Sequence, residues 1–294
     1  MKDSKIAWTD ATFNPWWGCS RVSPGCEHCY AEQFATVRHK LPVWGVDAER
    51  KPMSEAYWRE PLKWNREAEK TGVRRRVFCA SMADVFELLP ERNVAGRAVQ
   101  DAARARLWPL IEATPHLDWL LLTKRPENVS RLTPWFGAWP ANIWLGVTAE
   151  DQRRADERIP ILLSIQARVR FVSHEPALGA VRFPWRWCVR CHVEPSRHAE
   201  THLHCHDDGW VRQLDWIITG GESGPGARPY DLAWARQVVE HGAASGTAVF
   251  VKQLGADPID GTAGCSVILR DRKGGDPSEW PAELRVQQWP AGPR

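Results

Sequence analysis

Seven short apolar runs, separated by amphipathic and charge-rich stretches, are the feature that most limits what this chain can fold into. They cover Ile6–Phe13, Val77–Ser81, Trp119–Thr123, Ile143–Val147, Val169–Ser173, Trp216–Thr219 and Ala248–Val251, and each reads as a strand. Helical patterns lie between them. Cys26–Thr36 starts after the turn Ser23-Pro24-Gly25, and Arg97–Ile111 ends at Thr114-Pro115. Asp151–Leu163 is expected to break or restart at Pro160, and Leu232–His241 follows Pro229 and stops at Gly242. Strand–helix alternation of this kind predicts a parallel sheet, either an open doubly wound sheet or a partial or closed (β/α) barrel. The strand ends choose between them. Polar residues follow nearly every run, as Ser81-Met82-Ala83-Asp84, Thr123-Lys124-Arg125, Thr148-Ala149-Glu150, Ser173-His174-Glu175, Gly220-Gly221-Glu222-Ser223 and Lys252-Gln253. A barrel collects all its strand ends on one face around one ligand, whereas an open sheet collects only those at its switch point. The expected fold is therefore α/β, a partial or closed parallel (β/α) barrel over residues 1–255, with a C-terminal extension at 256–294.

Residues 183–213 break this rhythm and read as an insertion between two strands. A net charge of +3 neither demands nor excludes nucleic acid. Eighteen tryptophans exceed ordinary usage, and most are expected to pack in the interior or anchor loops. The chain shows no charged-then-apolar N-terminal segment and no long apolar run, so a cytoplasmic protein without membrane contact is expected.

The eight cysteines fall into two tight groups plus Cys79 and Cys265, a grouping that favours metal over disulfide. The first group, Cys19, Cys26 and Cys29, has the spacing C-x6-C-x2-C in a loop leaving the first strand. Three thiolates supply one ligand fewer than a closed [4Fe–4S] cluster or a structural zinc site needs. The readings are a cluster with one open iron, a zinc site completed by His28 or a distant ligand, or three unbound thiols. The second group is Cys188-Val189-Arg190-Cys191 followed by His202-Leu203-His204-Cys205-His206. Two such knuckles read as a zinc site, with Cys188, Cys191, His202 and Cys205 as preferred ligands, in an insert too small to hold itself by an apolar core. Arg182, Arg186, Arg190, Arg197 and Arg212 interleave there with Trp185, Trp187 and Trp210, a composition that suits phosphate contact and base stacking, or a plain structural lid.

Several stretches of the chain form a recognisable series: Asn14-Pro15-Trp16-Trp17-Gly18-Cys19 with Cys26-Glu27-His28-Cys29-Tyr30-Ala31-Glu32; Ser81-Met82-Ala83-Asp84-Val85-Phe86; Leu122-Thr123-Lys124-Arg125-Pro126-Glu127; Trp144-Leu145-Gly146-Val147-Thr148; Phe171-Val172-Ser173-His174-Glu175-Pro176; Asp215 to Gly224; and Val251-Lys252-Gln253-Leu254-Gly255. Taken together, they resemble the radical S-adenosylmethionine superfamily, and within it a phage and bacterial branch of unsettled function, distantly similar to spore photoproduct lyase. The resemblance implies that Cys19, Cys26 and Cys29 hold a [4Fe–4S] cluster and that S-adenosylmethionine chelates its open iron. It further implies that an electron from a donor such as flavodoxin or ferredoxin yields a 5′-deoxyadenosyl radical, which abstracts hydrogen from a substrate. The chain departs from the superfamily pattern in its first gap, six residues where three are usual. His28 stands where an aromatic residue often precedes the last cysteine, and Gly220-Gly221-Glu222 follows the sixth strand instead of the second.

Within that resemblance Ser81 and Asp84 are expected near the methionine end of the cofactor, and Glu222 as a further polar contact. Strand-end position makes Lys124, Thr148, Glu150 and Ser173 candidate cofactor-binding residues too. Lys124 and Arg125 read as a carboxylate or phosphate clamp, or as solvated charges at a loop start. His174 and Glu175 read as a proton-handling pair of which one enters the barrel mouth, because neighbours on a strand point to opposite faces. Gly220-Gly221 is either part of the cofactor contact or a tight strand-to-loop turn. Two functions compete: a radical enzyme modifying or repairing a substrate such as a nucleic-acid base, with or without a co-encoded partner protein, and a non-enzymatic zinc-stabilised module that binds nucleic acid or protein.

Overall fold

In a computed structural model of the chain, described over residues 4–183, 187–188 and 211–290, the apolar runs become a seven-stranded parallel sheet. Its strands are β1 (Ala11–Thr12), β2 (Arg75–Cys79), β3 (Leu117–Thr123), β4 (Ile143–Thr148), β5 (Val169–His174), β6 (Trp216–Gly220) and β7 (Ala248–Gln253), paired in chain order. Doubly wound sheets reverse direction at a switch point; this one does not, so its winding is the barrel type. Every residue of β4 and β6 is buried, as parallel strands covered on both faces require.

β1 is shorter than Ile6–Phe13. It pairs with β2 through Ala11↔Val77 and Thr12↔Phe78. Ahead of it the Thr9 hydroxyl donates to the carbonyls of Ala11 and Arg76, and the chain turns at Ile6. The side chain does locally what a ladder would have done.

Among the described residues four longer helices flank the strands. α1 (Glu60–Thr71) was not legible in the sequence, because only Pro61, Trp64 and Ala68 of its strongly polar turns are buried. α2 (Val94–Glu112) starts where the Asn93 side chain accepts from the Gly96 N–H, earlier than Arg97. α3 (Gln152–Ser164) is capped by Asp151 and runs through Pro160 without the expected break. Its buried face, Ala155, Arg158, Ile159, Leu162 and Leu163, lies on both sides of the proline, and that packing outweighs one lost hydrogen bond. α4 (Leu232–Ser245) passes Gly242 and stops at Gly246, which has φ +74. Gly242 is a glycine for another reason: a Cβ there would lie 2.3 Å from a Val249 methyl.

By its internal contacts the chain forms two compact units, Met1–Gly146 with Gln166–Arg168, and Val147–Ile165 with Val169–Arg294. In the second unit the tail covers the edge of β7: Val251 N–H donates to Val286 O and Gln288 N–H to Val249 O, while Trp280 and Leu284 are buried. Trp187–Cys188 pairs antiparallel with Val211–Arg212 at the base of the insertion. Among the described residues no helix is long and apolar enough to cross a membrane.

Candidate functional site

The first cysteine group lies in a loop fixed at its start by Gly18. This glycine has φ +117, and a Cβ would lie 2.3 Å from Val43 O, so no other residue fits there. Its N–H donates to Met82 O, and Cys19 O accepts from Gly45 N–H. Cys26 ends a short turn over Pro24–Cys26, and Cys29 stands just before the helical stretch Tyr30–Gln33. The Tyr30 hydroxyl reaches back to Ser81 O at 3.0 Å, and Asn14 accepts from Met82 N–H at 2.7 Å while exchanging hydrogen bonds with the Ser81 hydroxyl. The loop is thereby stitched to the segment that follows β2.

Beneath the loop lies a buried charge network that the sequence did not disclose. Glu87 is its centre. Arg50 grips it bidentately, Nε to Oε2 at 2.9 Å and Nη2 to Oε1 at 3.0 Å, with both side chains fully buried. Ser20 Oγ donates to Glu87 at 2.6 Å and Gln100 Nε2 at 2.7 Å. Arg125 completes the network. Its Nη2 donates to Ser20 O and Oγ at 2.8 and 3.0 Å, its Nη1 to Asp84 at 3.0 Å, and its Nη1 approaches Cys19 Sγ at 3.7 Å. Burial works against the Arg125 charge, but the nearby Asp84, Cys19 and Glu87 outweigh it and hold the guanidinium firmly protonated. The only signal in the sequence was a lone acid inside Val85-Phe86-Glu87-Leu88-Leu89.

Burial pushes the Cys19 thiol up to about 12, with Glu87 and Asp84 adding to the effect and Arg125 opposing it. Burial also raises Cys29, against the N–H groups of Glu32 and Ala31 and the charge of Lys124. Cys19, Cys26 and Cys29 are all free and half-buried. Three soft sulfur donors on one short loop, with a guanidinium at one and an ammonium in electrostatic reach of another, fit an iron–sulfur group in donor chemistry. Among the described residues no three His, Cys, Asp or Glu side chains are gathered into a ready-made metal site.

The other expected site residues turn out to be held largely by the protein itself. Asp84 accepts from Thr123 Oγ1, Phe86 N–H, Lys124 N–H and Arg125, which fills its carboxylate and removes it from the set able to meet a cofactor. Arg125 clamps the protein's own carboxylates and Ser20 instead of a ligand. In the second unit Glu150 is fully buried against Arg158 at 2.8 Å, and the same Arg158 nitrogen donates to Thr148 O. Ser173 O accepts from Ala149 N–H, and Glu222 is paired with Arg228 at 2.5 Å. Glu175 is paired with Lys252. Gly220 and Gly221 are tightly packed: a Cβ on Gly221 would lie 2.8 Å from Tyr230 Cβ.

His174 is buried with both ring nitrogens engaged, Nε2 with Gly179 O at 3.0 Å and Nδ1 with Thr219 Oγ1 at 3.3 Å. A carbonyl only accepts, so Nε2 carries the proton and Nδ1 accepts from Thr219, whose oxygen in turn accepts from Tyr230 at 3.1 Å. Burial holds this ring neutral, down to about 4. This geometry corrects the proton-handling pair: His174 has no nitrogen left for a substrate. Of the second cysteine group, Cys191, His202 and Cys205 fall outside the described residues, and Cys188 is described by its backbone alone.

Fold and site together define an α/β protein with a parallel, barrel-wound sheet and a three-cysteine loop bound to a buried charge network. The chain belongs to the family described as "Protein of unknown function (DUF5131)", whose model matches residues 3–274. No curated protein and no solved structure matches it.

Proposed function

We propose that this protein is a radical S-adenosylmethionine enzyme that modifies a substrate, with a nucleic-acid base as the substrate class. Cys19, Cys26 and Cys29 would hold a [4Fe–4S] cluster, and the second cysteine group, Cys188, Cys191, His202 and Cys205, a zinc ion. Such a cluster, when bound, supplies the electron that cleaves S-adenosylmethionine reductively. The observation that carries the reading is the attachment of the cysteine loop to the end of β3 through Arg125, which touches Cys19 and Ser20 on the loop and Asp84 beside it.

The chain's own residues have distinct tasks in this reading. Arg125 directs an N–H at the Cys19 sulfur and fixes the neighbouring Ser20, so the ligand's position and local charge are set from below. Gly18 and Asn14 hold the approach to the loop. Ser81 and Lys124, at the ends of β2 and β3, are the residues assigned to the methionine moiety. Lys124 also offsets thiolate charge at Cys29. Deprotonation of the thiols accompanies metal binding, as it must for any thiolate site. A reducing compartment and a low-potential electron donor such as flavodoxin or ferredoxin belong to this reading.

The test is anaerobic reconstitution with iron and sulfide, followed by dithionite and S-adenosylmethionine. Release of 5′-deoxyadenosine by the wild type but not by Cys26→Ala is expected. Full iron loading without any 5′-deoxyadenosine would overturn the enzyme. Zinc at the cysteine loop with no iron would favour the non-enzymatic binding module.

A further inference from the structure

Next to the cysteine loop the first unit presents three aromatic rings in mutual contact at its surface. Trp17, Phe34 and His39 have centroids 5.9, 5.5 and 4.6 Å apart, pairwise, in tilted or edge-on packing. Two cations stand over the rings: Arg38 lies 5.6 Å from the Phe34 centroid and Lys51 5.4 Å from that of Trp17. Phe34 is 37% exposed, and Tyr30, on the same helical stretch, is 58% exposed. Buried aromatic clusters do not leave their rings this open, and a purely apolar docking groove would not set a cation over each of two rings.

The backbone is shaped to this presentation. Phe34–Arg38 forms a π-helical turn, closed by His39 N–H to Phe34 O at 3.2 Å, and Lys40 follows at φ +52. Wide turns and left-handed non-glycine residues re-aim side chains and persist where the surroundings hold them. Trp17 is placed by a short antiparallel pairing of Trp16–Trp17 with Lys51–Pro52, in which it stands opposite Lys51. From residue 30 to 52 the bases besides buried Arg50 are Arg38, Lys40 and Lys51, with His39 also exposed. The acids of that stretch are Glu32, paired with Arg21 at 3.0 Å, Asp47, paired with Arg92 at 2.7 Å, and Glu49. The face therefore offers positive charge beside open ring surface.

We propose that this face binds single-stranded nucleic acid, with bases stacking on Phe34, Trp17 and Tyr30 and phosphates met by Arg38, Lys40 and Lys51. Rings accept any base by its π-face, and lysine and arginine beside them take the backbone. Trp17 and Cys29 pack against the same buried cluster of Ala31, Ala35, Val43 and Met82, so a strand held here runs beside the cysteine loop. That link to catalysis rests on the enzyme reading above; the binding itself does not.

The experiment is fluorescence anisotropy with a labelled oligothymidylate of about 15 nucleotides, the upper end of known single-strand sites, read at several salt concentrations. Iron content and the thermal midpoint of each variant are measured alongside. Wild type should bind, and Phe34→Ala should bind about tenfold more weakly, the loss of one stacked base. Arg38→Glu and Lys51→Glu should each flatten the salt slope by about one. All three should keep wild-type iron loading and fold cooperatively, with Phe34→Ala lowering the midpoint by a few degrees for its lost ring contacts. Cys26→Ala should lose iron yet bind the oligonucleotide like wild type, so failure of the enzyme reading leaves this result standing. No binding by the wild type at low salt, or equal affinity and slope in the three surface variants, would overturn the proposal. So would a face that ignores the oligonucleotide and saturates with a protein partner instead.

Discussion

The two units bury the polar residues around their strand ends and loops in different ways. In the first, Asp84, Glu87, Arg50 and Arg125 are charged and cross-linked, and their bonds run outward to Ser20 and Cys19 on a loop. In the second, His174, Thr219 and Tyr230 form a neutral chain that ends on Gly179 O, and Glu150 is closed off by Arg158. A buried ion network is a costly way to gain stability, since well-packed apolar groups do as well. A neutral hydrogen-bonded chain carries no such penalty. The contrast teaches that polarity at a strand end does not by itself mark a site. What separates the first unit is that its charges hold something that is not part of the sheet.

The largest effect should come from breaking the network. Arg50→Met leaves Glu87 buried without its bidentate partner and should lower stability by about 3–5 kcal/mol, measured by urea unfolding. Arg125→Met should cost a similar amount and also reduce iron retention, whereas the equally buried Arg158→Met of the second unit should destabilise without touching iron. Equal iron loss from both arginine variants would erase the distinction between the units.

The second unit should show itself in acid. His174 is held neutral down to about 4, while an unfolded histidine takes its proton near 6.5. Its contribution is thus whole above pH 6.5 and declines as pH falls through 4, by about 3 kcal/mol in all. Stability profiles of wild type and His174→Gln should converge across that window. Parallel profiles would mean the ring is not buried neutral.

The smallest effect concerns a cap remote from either network. Gly246→Ala forces an L residue to φ +74 and should cost about 1 kcal/mol, seen as a lower thermal midpoint with unchanged iron content.

The sequence carried the strands well because parallel strands are apolar on both faces, and Ile143–Val147 or Trp216–Thr219 can hardly be read otherwise. It carried α1 poorly, because a helix that buries one narrow stripe looks like a solvated segment. Gly242 looked like a helix stop, since glycine commonly ends helices; space for Val249 is its actual reason. The sequence placed Cys19, Cys26 and Cys29 in a loop near the first strand, where the structure has them. Their support was not: Glu87 and Arg50 lie 37 residues apart in sequence, and no local pattern joins an acid in an apolar run to an arginine in a loop. The strand ends were located closely, but whether a polar group there faces a ligand or its own neighbour depends on pairings such as Arg158 with Glu150, which only the fold reveals.

The proposal to be tested is that Cys19, Cys26 and Cys29 would hold an iron–sulfur cluster and that Arg125, in the charge network, would position Cys19 for it. Iron and acid-labile sulfide, counted per chain on anaerobically reconstituted wild type, Cys26→Ala and Arg125→Met, test it directly. The account predicts about four irons and four sulfides in the wild type, near zero in Cys26→Ala and a clear deficit in Arg125→Met. A wild type that takes up no iron and sulfide, or a Cys26→Ala that takes up as much as wild type, would contradict it.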